Sequence, residues 1–170
     1  MSASGPVRRN ADGGRNDWRT PPELFRLLDR EFGFTIDGAA SDEWHLLPRY
    51  YTEQRSAFDQ RPADEVIFLN PPYAGLAAWV ALADAWSRRG NDVVALVPAA
   101  TDTHWWYEAQ QNAIETRLLL GRVRFIDPAT GLPGKSNTTG STIFHFSPRR
   151  AKREIFTWDW RAAPPVPVVA

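Results

Sequence analysis

Two apolar runs, EVIFL at 65–69 and DVVALV at 92–97, flank the amphipathic stretch LAAWVALADAW at 76–86, and this order restricts the fold more than any other feature of the chain. Both runs are short, rich in aliphatic residues and free of polar alternation, so they read as strands buried on both faces. The stretch between them has the length and spacing of a helix and closes near Gly90. A parallel neighbour is reached only through a crossover of a dozen or more residues, usually helical. Strand, helix, strand in that order therefore implies a parallel pair.

The alternation continues in both directions. TPPELFRLLDREF puts Thr20 at a helix N-cap, Pro21 at the first helical position and Glu23 where a capping box needs it. Leu24, Leu27, Leu28 and Phe32 then share one face. FTID at 34–37 reads as a strand ending in GAAS, and RYYT at 49–52 as another short one. THWWYEAQQNAIE reads as a helix entered through Thr101 or Asp102. TRLLL, RVRFI and STIFHF read as strands, with a long Gly/Pro/Ser/Asn/Thr loop over 127–140 before the last. The expected class is α/β, a mostly parallel sheet with helices on both faces. The last two strands, joined without a helix, are expected as an antiparallel pair at the C-terminal edge. Ligands of such sheets sit beyond the carboxyl ends of the strands. DGAAS, NPPY and PAATDT all fall on that rim, three loops of unusual composition converging on one place.

At 170 residues the chain suits one domain with a real core, expected over 16–160 between a disordered arm at 1–15 and a Pro-rich, frayed tail at 161–170. The absence of cysteine excludes disulfides, thiolate metal sites and a cysteine nucleophile. His45, His104 and His145 make no ligand spacing, so no metal is expected. No apolar signal region and no membrane-length apolar stretch is found, and a cytoplasmic location without a membrane partner is the expectation. A formal net charge of zero means that any polyanion contact must be local. Nearly all the positive charge is arginine, Lys135 and Lys152 being the two lysines, which suits bidentate contacts to phosphate or base but also fits a GC-rich genome.

The stretch FLNPPYAG at 68–75 carries the most chemistry. A residue before proline is driven into an extended conformation, and here both Asn70 and Pro71 precede one. The chain thus leaves its strand as a stiff corner with two acceptors, the Asn70 side-chain oxygen and the Pro71 main-chain oxygen. Neither Pro71 nor Pro72 brings a competing N–H. Paired acceptors of this kind suit a planar NH2 group with two hydrogens. Such a nitrogen is a poor nucleophile because its lone pair is delocalised. Drawing both hydrogens towards acceptors favours a pyramidal nitrogen with the lone pair free to attack, and no strong base is needed. Tyr73 supplies a flat face for stacking, the simpler alternative being a strand stop with Tyr73 over the core.

NPPY after a strand resembles the catalytic motif of amino-directed, S-adenosylmethionine-dependent methyltransferases, a class that also acts on cytosine, RNA and protein glutamine. With NDWRTPPELFRLLDREFGFTIDGAASDEWHLLPRYYTEQRSAF, FLNPPYAGLAAWV, VVALVPAATDTHWW, GRVRF and STIFHF it resembles the phage-type DNA N6-adenine methyltransferases, in order from about residue 16 to 147. The resemblance implies a Rossmann-like methyltransferase fold, S-adenosylmethionine as cofactor and double-stranded DNA as partner. It also implies a phage- or prophage-encoded protein in a bacterial cell, acting in phage self-protection or restriction–modification. The reaction would be methyl transfer to adenine N6 of a flipped-out base. Stacking on Tyr73, about 1–3 kcal/mol, would be comparable to the cost of extrusion.

By position, Asn70, Pro71, Pro72 and Tyr73 would form the catalytic loop. Trp18, Thr20 and Pro21 would lie across the methionine end of the cofactor. Asp37, Gly38 and Ala39 take the place of the cofactor loop, where most relatives have more glycine. Ser41 would cap a following helix and offer its N-terminus to the cofactor carboxylate. Glu53 and Asp59 are both candidates for the ribose hydroxyls. Each has a plainer alternative: Thr20 as a cap only, Trp18 as a staple at the helix entry, Asp37 as a turn residue. Trp105 and Trp106 are adjacent on a helix and are not expected to face inward together, which leaves one, with Trp105 the candidate, as a base or backbone platform. Arg122 and Arg124 alternate on an expected strand and, with Lys135, Asn137 and Thr138, would track phosphates or simply form a solvated edge. Two other functions compete: N-methylation of RNA or a protein glutamine, and a catalytically silent decoy that binds DNA or a partner. A glutamine enzyme usually brings a further domain and a richer glycine loop. The target sequence would be read by loops such as 98–108 and 127–140.

Overall fold

A computed structural model describes residues 17–134, 139–149 and 153–162. One sheet contains β1 (Ile36–Asp37), β2 (Val66–Leu69), β3 (Asp92–Pro98), β4 (Glu115–Leu119), β5 (Ser141–Phe146) and β6 (Glu154–Trp158), in the order β1-β2-β3-β5-β4-β6. β1, β2 and β3 are parallel, β5 runs against both β3 and β4, and β6 is parallel to β4. Every strand but β5 points the same way, so the others share a carboxyl rim. This is the expected α/β class, consistent with a methyltransferase-like fold.

Helices cover both faces. On one, α1 (Pro22–Phe32) packs Leu24, Phe25 and Leu28 against Phe68, Val94, Leu96 and Ile143. On the other, α2 (Leu76–Ser87) and α3 (His104–Asn112) place Val80, Ala83, Trp86 and Ala109 against Ile67, Val93, Ala95 and Phe144. Successive residues of β2 and β3 thus enter opposite cores, which is why both runs are apolar throughout.

The antiparallel ladders lie in the C-terminal half, but their members differ from the expected pair. STIFHF is the reversed strand β5, inserted between β3 and β4. RVRFI is extended without joining the sheet; it buries Val123 and Phe125, exposes Arg122 and Arg124, and Ile126 makes only isolated bridges to Arg19 and Pro133. The reason is solvation. β5 is buried along both faces and needs a neighbour on each side, whereas alternate arginines must stay in water. β6, for which EIFTW carries no clear sequence signal, takes the outer edge.

Smaller differences follow from local bonding. The expected strand at 49–52 reduces to a parallel bridge between Tyr50 and Asp37. α1 starts at Pro22 with Pro21 in the cap position and no side-chain cap, so Thr20 is not the N-cap. α3 is capped by Thr103, whose hydroxyl accepts from Trp106 N at 3.4 Å, and not by Thr101 or Asp102. It ends at Asn112, because Ile114 N already donates to His145 O at 2.8 Å in the sheet. A buried ion cluster has no counterpart in the sequence pattern. Arg117, its side chain 4% exposed, pairs with Glu31 of α1 and with Glu115, and its guanidinium lies 5.1 Å from the Trp158 ring centre. Lys135, Asn137, Thr138, the arm at 1–15 and most of the tail fall outside the described residues.

Candidate active site

Asn70 follows β2 directly, where Phe68 and Leu69 are fixed in opposite cores and leave the next residue at the rim. Its Nδ2 donates to Trp18 O at 3.1 Å and to Thr20 Oγ1 at 3.0 Å. A carbonyl oxygen can only accept, so the group facing Trp18 must be the NH2 and the amide orientation is determined. Both amide hydrogens are therefore used, and Oδ1 is turned away from them. Among the described residues nothing donates to Asn70 Oδ1 or to Pro71 O. The Thr20 hydroxyl, expected to cap a helix, instead serves Asn70 from the segment before α1, 50 residues away in sequence.

The anchor is itself anchored. Arg19 N donates to Ile126 O at 3.1 Å, and Ile126 N to Arg19 O at 2.9 Å. Trp18 lies so close under Gly134 that a Cβ there would come within 2.6 Å of its ring. Gly134 therefore lets the 125–134 segment press on Trp18, whose carbonyl holds Asn70. After Asn70, Pro71 is buried, and Pro72 and Tyr73 are half-buried. Tyr73 packs against the core under α2 and α3. Gly75, at φ 76°, turns the chain into α2 through a left-handed conformation that suits glycine.

The loop after β1 is held by Asp37. Its Oδ2 accepts from Leu46 N at 2.9 Å and its Oδ1 from Ala39 N at 3.4 Å. Burial pushes this carboxyl above the usual aspartate value, although those backbone N–H groups pull the other way. Gly38 N donates to Phe68 O at 2.8 Å, and a Cβ on Gly38 would lie 2.5 Å from Leu69 Cδ2. The glycine is thus required by β2 beside it. Ala40 N donates to Tyr51 O at 2.9 Å, and Ser41 N to Trp44 O at 2.9 Å. No helix follows Ser41; its hydroxyl accepts from Trp44 N at 3.0 Å and closes a turn, so the expected helix N-terminus is not there.

Two groups at this loop went unnoticed in the sequence. The Arg19 guanidinium sits 4.5 Å from the Trp44 ring centre, and Trp44 Nε1 is buried without a partner. No spacing rule links residues 19 and 44, and only the tertiary contact reveals them. Of the carboxylates expected for a ribose, Glu53 is exposed beyond the Tyr50–Tyr51 segment. Asp59 is exposed in a 3₁₀ turn, Ala57–Asp59, whose Phe58 meets Trp79 of the first turn of α2 at 4.8 Å. Trp105 and Trp106 are both half-buried against the core, and Trp106 Nε1 donates to Thr142 Oγ1 at 3.2 Å. The exposed aromatic of α3 is Tyr107, at 60%. Adjacent indoles reach one core because α3 is short and flanks it.

A cavity of about 620 Å³ lies on the outer side of α1 beside Trp160 and Arg161 and includes none of these rim residues. Among the described residues there is no cluster of three or more His, Asp or Glu suited to a metal, and no helix is long and apolar enough to cross a membrane. Residues 9–163 match the model of the DNA N-6-adenine-methyltransferase (Dam) family. The chain is also similar to the DNA N-6-adenine-methyltransferase of Escherichia phage T1, at 29% identity over 150 residues, covering 78% of this chain. It spans 63% of the length of that phage protein.

Proposed function

The chain belongs to the DNA N-6-adenine-methyltransferase family, and from that premise we propose that it transfers a methyl group to the N6 amino nitrogen of adenine in double-stranded DNA. The observation that carries this reading is the Asn70 amide, pinned through its nitrogen by Trp18 O and Thr20 Oγ1 so that Oδ1 remains as an oriented acceptor at the rim, with Pro71 O, one residue on, as the second acceptor of the reading. The two oxygens take the two N6 hydrogens, and the nitrogen lone pair is left to attack. Because the acceptors are fixed before the base arrives, no reorganisation is needed as positive charge develops on the nitrogen. Asn70 stays neutral throughout and accepts no proton. The excess proton leaves the nitrogen for solvent after the methyl has moved.

A methyl donor is implied by the family, and S-adenosylmethionine is the donor proposed. The rim offers groups that fit it. Trp44 Nε1 is an orphaned buried donor, and the Arg19 guanidinium on the same ring has no carboxylate partner among the described residues. Together they suit the carboxylate of an amino-acid end, and Glu53 or Asp59 suits the ribose. When bound, the cofactor supplies an electrophilic methyl on a sulfonium. Trp18 and Thr20 then act as positioning residues for Asn70, and Pro21 stands at the cap position of the helix that follows them. Asp37, Gly38, Ala39 and Ser41 shape the loop rather than offering free N–H groups. Arg122, Arg124 and Tyr107 are exposed and suit phosphate and base contacts near the rim.

Transfer of labelled methyl to adenine-containing duplex DNA, RNA and protein, measured side by side with the same preparation, tests the proposal. DNA adenine is expected to be the acceptor. Label appearing on RNA or glutamine alone, or no binding of S-adenosylmethionine by calorimetry, refutes it. Asn70→Ala should keep cofactor affinity and lose about 10²–10³ in turnover, the size expected for losing one preorganised transition-state contact.

A further inference from the structure

The outer edge of the sheet is unusually open. β6 exposes Ile155 at 54% and Phe156 at 37%, pairs one-to-one with β4 without a bulge, and contains neither proline nor lysine. Sheet edges normally carry such features to prevent pairing with other chains. Glu154 N donates to Ile114 O at 3.0 Å and Trp158 O accepts from Leu120 N at 2.9 Å, so residues 154, 156 and 158 turn their main-chain groups towards β4. Alternation then turns the N–H and C=O groups of Ile155 and Thr157 outward, and no described group pairs with them.

We propose that this edge is a dimer interface, in which β6 pairs antiparallel with β6 of a second copy about a twofold axis at Phe156. The register is self-complementary. Phe156, whose main chain faces β4, falls opposite the partner's Phe156 in a non-hydrogen-bonded pair, where side chains approach most closely. Ile155 falls opposite the partner's Thr157 and Thr157 opposite the partner's Ile155, both hydrogen-bonded pairs that use the outward main-chain groups. Arg153 falls opposite the partner's Asp159, setting opposite charges together at both ends. Two other axes are worse: one at Glu154 sets like carboxylates opposite each other, and one at Thr157 sets Arg153 against the partner's Arg161. The same patch serves both copies, as a closed twofold requires. The two sheets become one continuous sheet, and their carboxyl rims point to opposite ends. Each Asn70 rim stays open, and no site is shared across the interface.

Sedimentation velocity of the full chain over a concentration series tests this. The wild type is expected to dimerise at micromolar concentration. Arg153→Asp and Asp159→Arg alone should each weaken the dimer by about tenfold or more, the scale of a well-placed interfacial charge pair. The double exchange should recover it, which a merely unfolded variant cannot do. Thr157→Pro removes an outward N–H without touching the β4 ladder and should give a monomer with unchanged circular dichroism. A wild type that stays monomeric at tens of micromolar overturns the proposal. So does a dimer indifferent to the charge exchange, or a dimer that forms only after removal of residues 163–170, which would mean that the chain's own C-terminal segment occupies the edge.

Discussion

Replacing Thr20 by valine keeps the shape of a side chain that is 1% exposed and deletes the acceptor for one Asn70 amide hydrogen. A typical hydrogen bond contributes about 1 kcal/mol net, and a donor left unpaired away from water costs about 1–3 kcal/mol. The second hydrogen keeps its bond to Trp18 O at 3.1 Å, so the amide does not turn over; it swings about one anchor instead of two. If about 1–2 kcal/mol of that positioning is lost in the transition state, turnover falls roughly 5- to 30-fold. Thr20→Ser retains the hydroxyl and should stay within about threefold of wild type on the same arithmetic. The assay is single-turnover transfer of labelled methyl to an adenine-containing duplex at saturating cofactor and DNA, with cofactor affinity measured separately. Wild-type turnover in Thr20→Val would refute the positioning argument. Equal losses in cofactor affinity and turnover would refute it differently, by moving Thr20 to the cofactor.

The remaining predictions concern stability. Gly38→Ala forces a methyl to within 2.5 Å of Leu69 Cδ2 and should destabilise the fold by about 1–3 kcal/mol in chemical denaturation. Arg117→Met strands Glu31 and Glu115 and should cost about 3–5 kcal/mol, as breaking one side of a buried ion pair does, whereas removing all three charges together should recover much of it. Burial raises the Asp92 carboxyl, but hydrogen bonds from His145 and Ser147 outweigh it and hold the carboxyl below its usual value. A depressed carboxyl contributes stability above its ordinary value, about pH 4, and loses it as pH falls through the folded value. Asp92→Asn should therefore lower stability at neutral pH and flatten its decline in acid, read from denaturation midpoints across that range.

How much of this was legible depends on the range over which each signal acts. The class of fold and the rim were readable because β2, α2 and β3 are consecutive and their apolar patterns differ in period. NPPY was readable because proline acts on its immediate neighbours. RVRFI and STIFHF both looked like strands, since local propensity does not register that arginines at 122 and 124 keep one side of the chain in water while Val123 and Phe125 bury the other. β6 went unread because its exposed side chains carry no burial pattern.

Sequence by itself determined where the chain runs straight, where it turns, and that Asn70 stands at the end of a buried strand on a stiff corner. Tertiary structure alone decided which way that amide faces, because its two anchors lie 50 and 52 residues away, and that Arg19 meets Trp44 and Arg117 meets Glu31. Backbone conformation is governed by adjacent residues. The partners of a polar side chain are governed by whatever the packing of both cores brings within hydrogen-bond reach.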